Sequence, residues 1–239
     1  MRRRFFVDEV RNGLAQIEGE EARHLTRVLR VEAGQRYEIS DNRNVYLAQI
    51  ETARKESVVF RTLEKLPAAA PAARIVLYAA LIKFDRFEWI VEKATELGVA
   101  EIVPVEATRS ERGLERAAGK RRERWRRIAL EASQQSRRSH LPEIGEPVLL
   151  ADALTGAGNY HLALDEAGDV PLLQALPAVR GAEDTVAVLT GPEGGWTEEE
   201  RASFTVAGWT PVSLGPLILR AETAVIAALA VVSQAWLVR

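Results

Sequence analysis

The spacing of apolar and polar positions changes once along the chain, near residue 70. Before that point the apolar runs are short and alternate with polar residues. Tyr37-Glu38-Ile39-Ser40 is followed by Asp41-Asn42-Arg43-Asn44, then by Val45 to Ile50, and further on by Val58-Val59-Phe60. Period-two alternation predicts half-buried strands, and the Asp/Asn cluster predicts the turn between the first two. Glu20 to Arg30 breaks the pattern and predicts one helix. Strands this short and this closely spaced predict a small β-barrel of about 70 residues.

Pro67-Ala68-Ala69-Ala70-Pro71-Ala72-Ala73 separates the two patterns. Two prolines in an alanine tract cannot continue a strand and form a semi-stiff connector. The predicted domains are therefore 1–70 and 71–239. In the second, apolar strands alternate with helical periods. Ile75 to Leu81 precedes an amphipathic helix from Phe84 to Leu97, with Gly98 placed to end it. Ile102 to Val105 precedes a long basic helix from Arg116 to Arg138. Tyr160 to Leu164 and Thr185 to Leu189 predict further strands. Thr197-Glu198-Glu199-Glu200 is a capping box that opens another helix, and the last helix runs from Ala221 to Trp236. Strands alternating with helices predict an α/β domain built on a mostly parallel sheet.

Composition narrows the chemistry. The chain has no Cys, so disulfides, thiolate metal sites and Cys nucleophiles are excluded, which fits a cytoplasmic location. The N-terminal Arg cluster gives way to Asp8 and Glu9 too soon for a signal peptide, and the apolar run Ala224 to Leu237 is too short to span a bilayer. The expectation is a protein that needs neither membrane nor metal, since His24, His140 and His161 have no ligand-like spacing. The net charge is −2, but it is unevenly distributed. From Arg109 to His140 there are eleven Lys or Arg against four Glu, so the rest of the chain carries −9. Such segregation suits phosphate contacts, although charge runs are more often solvated helix faces. Arg23, Arg27 and Arg30 would share one face of the first helix and grip RNA or merely coat the surface.

Two segments are candidates for a ligand site. In Leu189-Thr190-Gly191-Pro192-Glu193-Gly194-Gly195-Trp196 an apolar strand runs straight into a glycine-rich turn before a capped helix. Glycines there let the backbone approach a ligand and present free N–H groups, but a plain strand-to-helix turn fits as well. In Ser213-Leu214-Gly215-Pro216-Leu217-Ile218-Leu219-Arg220-Ala221-Glu222 a Gly-Pro turn leads into a helix start. Arg220 and Glu222 lie at that boundary in apolar surroundings, where an unneeded charge is costly. A mutual ion pair is one alternative, and a favourable charge from Glu222 at the helix N-terminus is another. Neither a Rossmann glycine fingerprint nor a Walker A motif is present.

Taken together, these segments resemble the bacterial 16S ribosomal RNA uridine-N3 methyltransferases, the RsmE family of the SPOUT class. The likeness runs through Arg4-Phe5-Phe6-Val7, His24-Leu25 with Val28-Leu29-Arg30, Lys83, Arg86, Glu88, and Lys93 to Val99. It continues through Arg109-Ser110, Arg124-Trp125, Gln135-Ser136, Arg138, Gly191 to Gly195, and Leu219 to Ala224. The resemblance implies a PUA-like barrel followed by an α/β domain with a C-terminal trefoil knot, and a homodimer. It implies S-adenosylmethionine as cofactor, held by Leu189, Thr190, Gly191, Pro192, Glu193, Gly194, Gly195, Leu214, Gly215, Ile218, Leu219 and Arg220. The implied reaction methylates N3 of one uridine in 16S rRNA of the small ribosomal subunit. Arg220 and Glu222 are the expected catalytic pair, with Glu193 a second candidate proton acceptor. Arg4, Arg27, Arg30, Lys83, Arg86, Arg109, Arg124 and Arg138 are the expected RNA contacts. Leu217 departs from the family pattern, which often has a basic residue there. The alternatives are a related enzyme acting at another RNA position, such as a ribose 2′-oxygen, and a non-catalytic RNA-binding protein of ribosome assembly. Lys93, Glu96, Trp125 and Gln135 fit fold or interface roles better than catalysis.

Overall fold

The computed structural model describes residues 3–68 and 71–238. Ala69 and Ala70 of the predicted connector lie outside them. The chain forms two compact units: Met1–Ala70 with Ser133–Leu141, and Pro71–Ala132 with Pro142–Arg239.

The first unit contains β1 (Arg4–Phe6), β2 (Leu14–Glu18), α1 (Gly19–Arg27), β3 (Arg36–Ser40), β4 (Val45–Arg54) and β5 (Ser57–Leu66). Its sheet has the order β1-β3-β4-β5-β2, antiparallel except for β1 against β3. Ala22 and Leu25 of α1 pack with Phe5, Ile39, Ile50 and Phe60, so the helix completes a single core. The predicted helix is too long. It ends at Arg27, and Arg30 adopts φ +51, so Arg30 leaves the helical face that would have aligned it with Arg23 and Arg27. The 1–70 boundary also omits a piece of this unit. Gln134 Nε2 donates to Glu21 Oε1 at 2.9 Å, Ser40 Oγ to the Ser139 carbonyl at 2.6 Å, and the Leu141 N–H to Asn42 Oδ1 at 2.7 Å.

The second unit contains β6 (Arg74–Ala80), α2 (Phe84–Glu96), β7 (Glu101–Glu106), the long α3 (Leu114–Ser136, whose last turn belongs to the first unit), β8 (Glu143–Ile144) and β9 (Val148–Leu149). Then follow α4 (Leu150–Ala153), β10 (Tyr160–Leu164), β11 (Val170–Pro171), α5 (Leu172–Ala175), β12 (Thr185–Thr190), α6 (Glu198–Val206), β13 (Thr210–Ser213) and α7 (Ala221–Leu237). All pairings are parallel, in the order β11-β13-β10-β12-β6-β7-β8, with β9 also on β7. Both faces are covered, which is why the central strands are continuous apolar runs. Along β6, Ile75, Leu77 and Ala79 face a core with α2, α3 and α7, while Val76, Tyr78 and Ala80 face Phe204 and Trp209. The short strands β8, β9 and β11 carry too few residues to show a period. Gly98 closes α2 with φ +91, a conformation that favours glycine.

Candidate active site

Strands β13, β10 and β12 are neighbours, and the loops at their carboxyl ends converge. In parallel sheets this edge is where ligands bind. The loops and the start of α7 enclose a cavity of about 340 Å³. Among the predicted cofactor residues, Thr190, Gly191, Pro192, Glu193, Gly195, Leu214, Gly215, Ile218, Leu219 and Arg220 line it. Leu189 and Gly194 do not. Leu189 is fully buried in the core on the Phe204 side of the sheet, and Gly194 turns its α-carbon toward Arg109.

The turn after β12 is built by its glycines. A Cβ on Gly191 would come within 3.0 Å of the Trp196 ring, and Gly195 adopts φ +67. Trp196 is buried and its Nε1–H donates to the Leu164 carbonyl at 2.8 Å, tying this turn to the end of β10. The predicted capping box forms in full: Glu200 N–H donates to Thr197 Oγ1 at 3.2 Å, and the Thr197 N–H donates to Glu200 Oε2 at 2.8 Å.

Leu164, Asp165 and Glu166 form a third wall that sequence reasoning missed. The available signal was an apolar strand running directly into two carboxylates at the edge where sites form. Asp165 is buried and accepts two hydrogen bonds from Arg201, at 2.9 and 3.2 Å. Glu193 pairs with Arg86 at 3.3 Å, and both line the cavity. Arg220 is the N-cap residue of α7 and is exposed, without a side-chain cap. Glu222 is buried behind the lip and is not part of the lining; its Oε2 has no hydrogen-bond partner. Among the described residues no ion pair joins it to Arg220, so the two charges answer different needs.

The predicted RNA contacts separate in the same way. Arg4 is a correction: it is buried, donates to Glu38 Oε2 at 2.8 Å and to the Arg137 carbonyl at 2.6 Å, and cannot face a phosphate. Glu38 is buried too and also pairs with Arg137, so this triad locks the first unit. Arg27, Arg30 and Lys83 are exposed. Arg138 donates to the His140 carbonyl at 3.0 Å, and burial pushes its guanidinium down to about 10, still charged at neutral pH. Arg124 pairs with Glu88 through both carboxylate oxygens, and Arg121 shares Glu88 while stacking 4.9 Å from the Phe84 ring centroid. Arg122 pairs with Glu146, and Arg126 with Glu123. The basic helix thus spends many of its cations locally, while Arg116 and Lys120 near its start are exposed, as is Arg112 just before it. Arg109 donates to two carbonyls of the glycine-rich turn, Gly194 at 3.0 Å and Trp196 at 3.1 Å. Of the residues assigned to the fold, Trp125 is buried against Phe87, and Lys93 is held between Glu92 and Glu96, which raise its pKa. Gln135 is exposed.

A parallel sheet with a ligand-sized cavity at its carboxyl edge, walled by a glycine-rich turn, defines an α/β domain equipped to hold a small-molecule ligand. Residues 69–233 match the RNA methyltransferase domain family, and residues 17–63 match the RNA methyltransferase PUA domain. The chain belongs to this RNA methyltransferase family. It is 33% identical to the ribosomal RNA small subunit methyltransferase E of Aquifex aeolicus, over 93% of this chain and 95% of that protein. Its identity to the Bacillus subtilis protein of the same name is 29%, over 96% and 95%. The crystal structure of the Neisseria gonorrhoeae ribosomal RNA small subunit methyltransferase E, bound to S-adenosyl methionine, superposes with a TM-score of 0.88. It is 28% identical and covers 99% of this chain and 98% of that one.

Proposed function

We propose that this protein methylates N3 of a uridine in small-subunit ribosomal RNA, using S-adenosylmethionine bound at the carboxyl edge of β10, β12 and β13. The cavity carries the reading. Its volume suits a nucleoside-sized ligand, and Leu214, Leu219 and Trp196 offer apolar surface for a purine. Asp165, Glu166 and Glu193 suit a cationic ligand. Bound there, the cofactor supplies an electrophilic methyl group. The chain must then position the uridine and manage its N3 proton, because a protonated N3 has no free pair for attack. Arg220, exposed on the cavity lip, is placed to stabilise the developing uridine anion. Glu193 faces the cavity and Glu222 does not, which favours Glu193 as proton acceptor.

We assign residues 1–70, extended by 133–141, to an RNA-binding PUA-like domain and the remainder to the methyltransferase domain. The trefoil knot that the resemblance implies would involve the 190–197 and 214–220 loops, which meet at the cavity. Leu217 and Ile218, 78% and 84% exposed on the lip, support a homodimer that covers them. Calorimetric titration with S-adenosylmethionine tests the site: micromolar binding is expected, lost in Ala224→Trp, which fills the cavity from α7. Mass spectrometry of digested rRNA then separates base from ribose methylation. Arg220→Ala, assayed at saturating cofactor, is expected to methylate about 100-fold more slowly. An undiminished rate would remove Arg220 from the chemistry.

A further inference from the structure

The glycine-rich turn after β12 is held from outside the cavity by the connection between β7 and α3. Arg109 Nη1 donates to the carbonyls of both Gly194 and Trp196. One nitrogen thereby fixes two carbonyls two residues apart, and between them lies Gly195 with φ +67. The approach is close: a Cβ on Gly194 would lie 3.0 Å from Arg109 Cβ, so glycine at 194 permits it. The same connection is tied a second time. The Thr108 N–H donates to Glu200 Oε1 at 2.8 Å, while Oε2 of that buried carboxylate accepts from the Thr197 N–H. Both ends of the 194–200 segment are therefore attached to residues 108 and 109. Gly195 and Trp196 face the cavity and Gly194 does not, which puts the brace on the reverse side of the cofactor wall.

We infer that Arg109 is a positioning residue that holds Gly194 to Trp196 in the conformation that receives the cofactor, rather than one of the cations that face RNA. The inference rests on the proposal above that the cavity takes S-adenosylmethionine. Guanidinium suits the task, since it is always charged and presents its donors in a fixed plane. A turn ordered before binding loses less freedom on binding. If the receptive conformation falls to about a tenth of the population, apparent affinity falls about tenfold.

The test is cofactor titration without RNA on the full chain and on Arg109→Met, which keeps the aliphatic stem and removes the donors. Hydrogen exchange of amides 193–197 is followed in both, and a melting scan checks the fold. The variant is expected to bind cofactor about tenfold more weakly or worse, with faster exchange confined to that turn. Arg109→Lys, which restores a charged donor without the fixed planar geometry, should fall between them. Arg116→Ala/Lys120→Ala should leave cofactor affinity unchanged and weaken RNA binding. Equal cofactor affinity and equal exchange in Arg109→Met would overturn the inference. If that variant also showed a shallower salt dependence of RNA binding, Arg109 would return to the RNA contacts. A wild-type chain that binds no cofactor would overturn the reading of the cavity itself, which is a separate outcome.

Discussion

At the scale of single residues, the site depends on side chains whose polar atoms act on backbone. Trp196 is the clearest case. Its ring closes the space above Gly191, and its only hydrogen donor reaches the Leu164 carbonyl. Trp196→Phe keeps most of the apolar contact but strands that buried carbonyl, which costs about 1–3 kcal/mol. The urea midpoint should fall while the slope of the transition holds, because the surface exposed on unfolding hardly changes. Roles of this kind were hidden in the sequence. Glycine at 191, 194 and 195 marked the turn, but nothing in the spacing showed that Arg109 serves its reverse side or that Arg4 is buried on Glu38. Both arginines stand in a basic context that reads as RNA-facing, and only the fold brings a carboxylate or carbonyl to them. Glu222 was legible as unusual, being a charge at an apolar helix start, but which way it points was not.

At the scale of elements, local chemistry sets the boundaries. Thr197 and Glu200 satisfy each other's backbone N–H groups at the start of α6, and Glu200 also holds Thr108. Thr197→Ala should cost about 1 kcal/mol through the lost cap, seen as a lower thermal midpoint. The α1 helix carries a pH effect. Burial raises the pKa of Glu21, despite the hydrogen bond from Gln134 that opposes it. A carboxyl raised in the folded state contributes stability below its unfolded pKa, and that contribution is lost as pH rises through the folded value. Glu21→Gln should therefore gain stability relative to wild type as pH rises from about 4 toward neutral, because the wild type must bury an ionised carboxylate there. Equal changes in both proteins across that range would sink the argument. The long helices α2, α3 and α7 were legible from extended helical patterns, β10 from its apolar run and the start of α6 from its capping box, and all fall within a few residues of expectation. The misses have physical causes. Arg30 adopts a left-handed conformation that no helical period signals, and Ser133–Leu141 joins the first unit through hydrogen bonds to residues about a hundred positions away.

At the scale of the whole molecule, the question is what an uneven charge distribution does on a chain of net −2. If the basic helix were only a solvated face, RNA affinity would show little dependence on its outward cations. If it contacts phosphates, each contact releases counterions, and the logarithm of affinity falls linearly with the logarithm of salt. Arg116 and Lys120 are the informative pair. Both are exposed on α3; Arg116 has one loose partner, Glu115 at 3.7 Å, whereas Arg124 is held by both oxygens of Glu88. Arg116→Ala/Lys120→Ala should reduce the magnitude of the salt slope by roughly 1.4–1.8, the amount expected for two lost phosphate contacts. Arg124→Ala should change it less, because removing Arg124 also frees the Glu88 carboxylate and leaves Arg121 nearby to pair with it. Filter binding of small-subunit ribosomal RNA across a salt series measures both. Unchanged slopes in the double variant would move the phosphate contacts off these two positions and toward other exposed cations, Arg27, Arg30 and Lys83 among them.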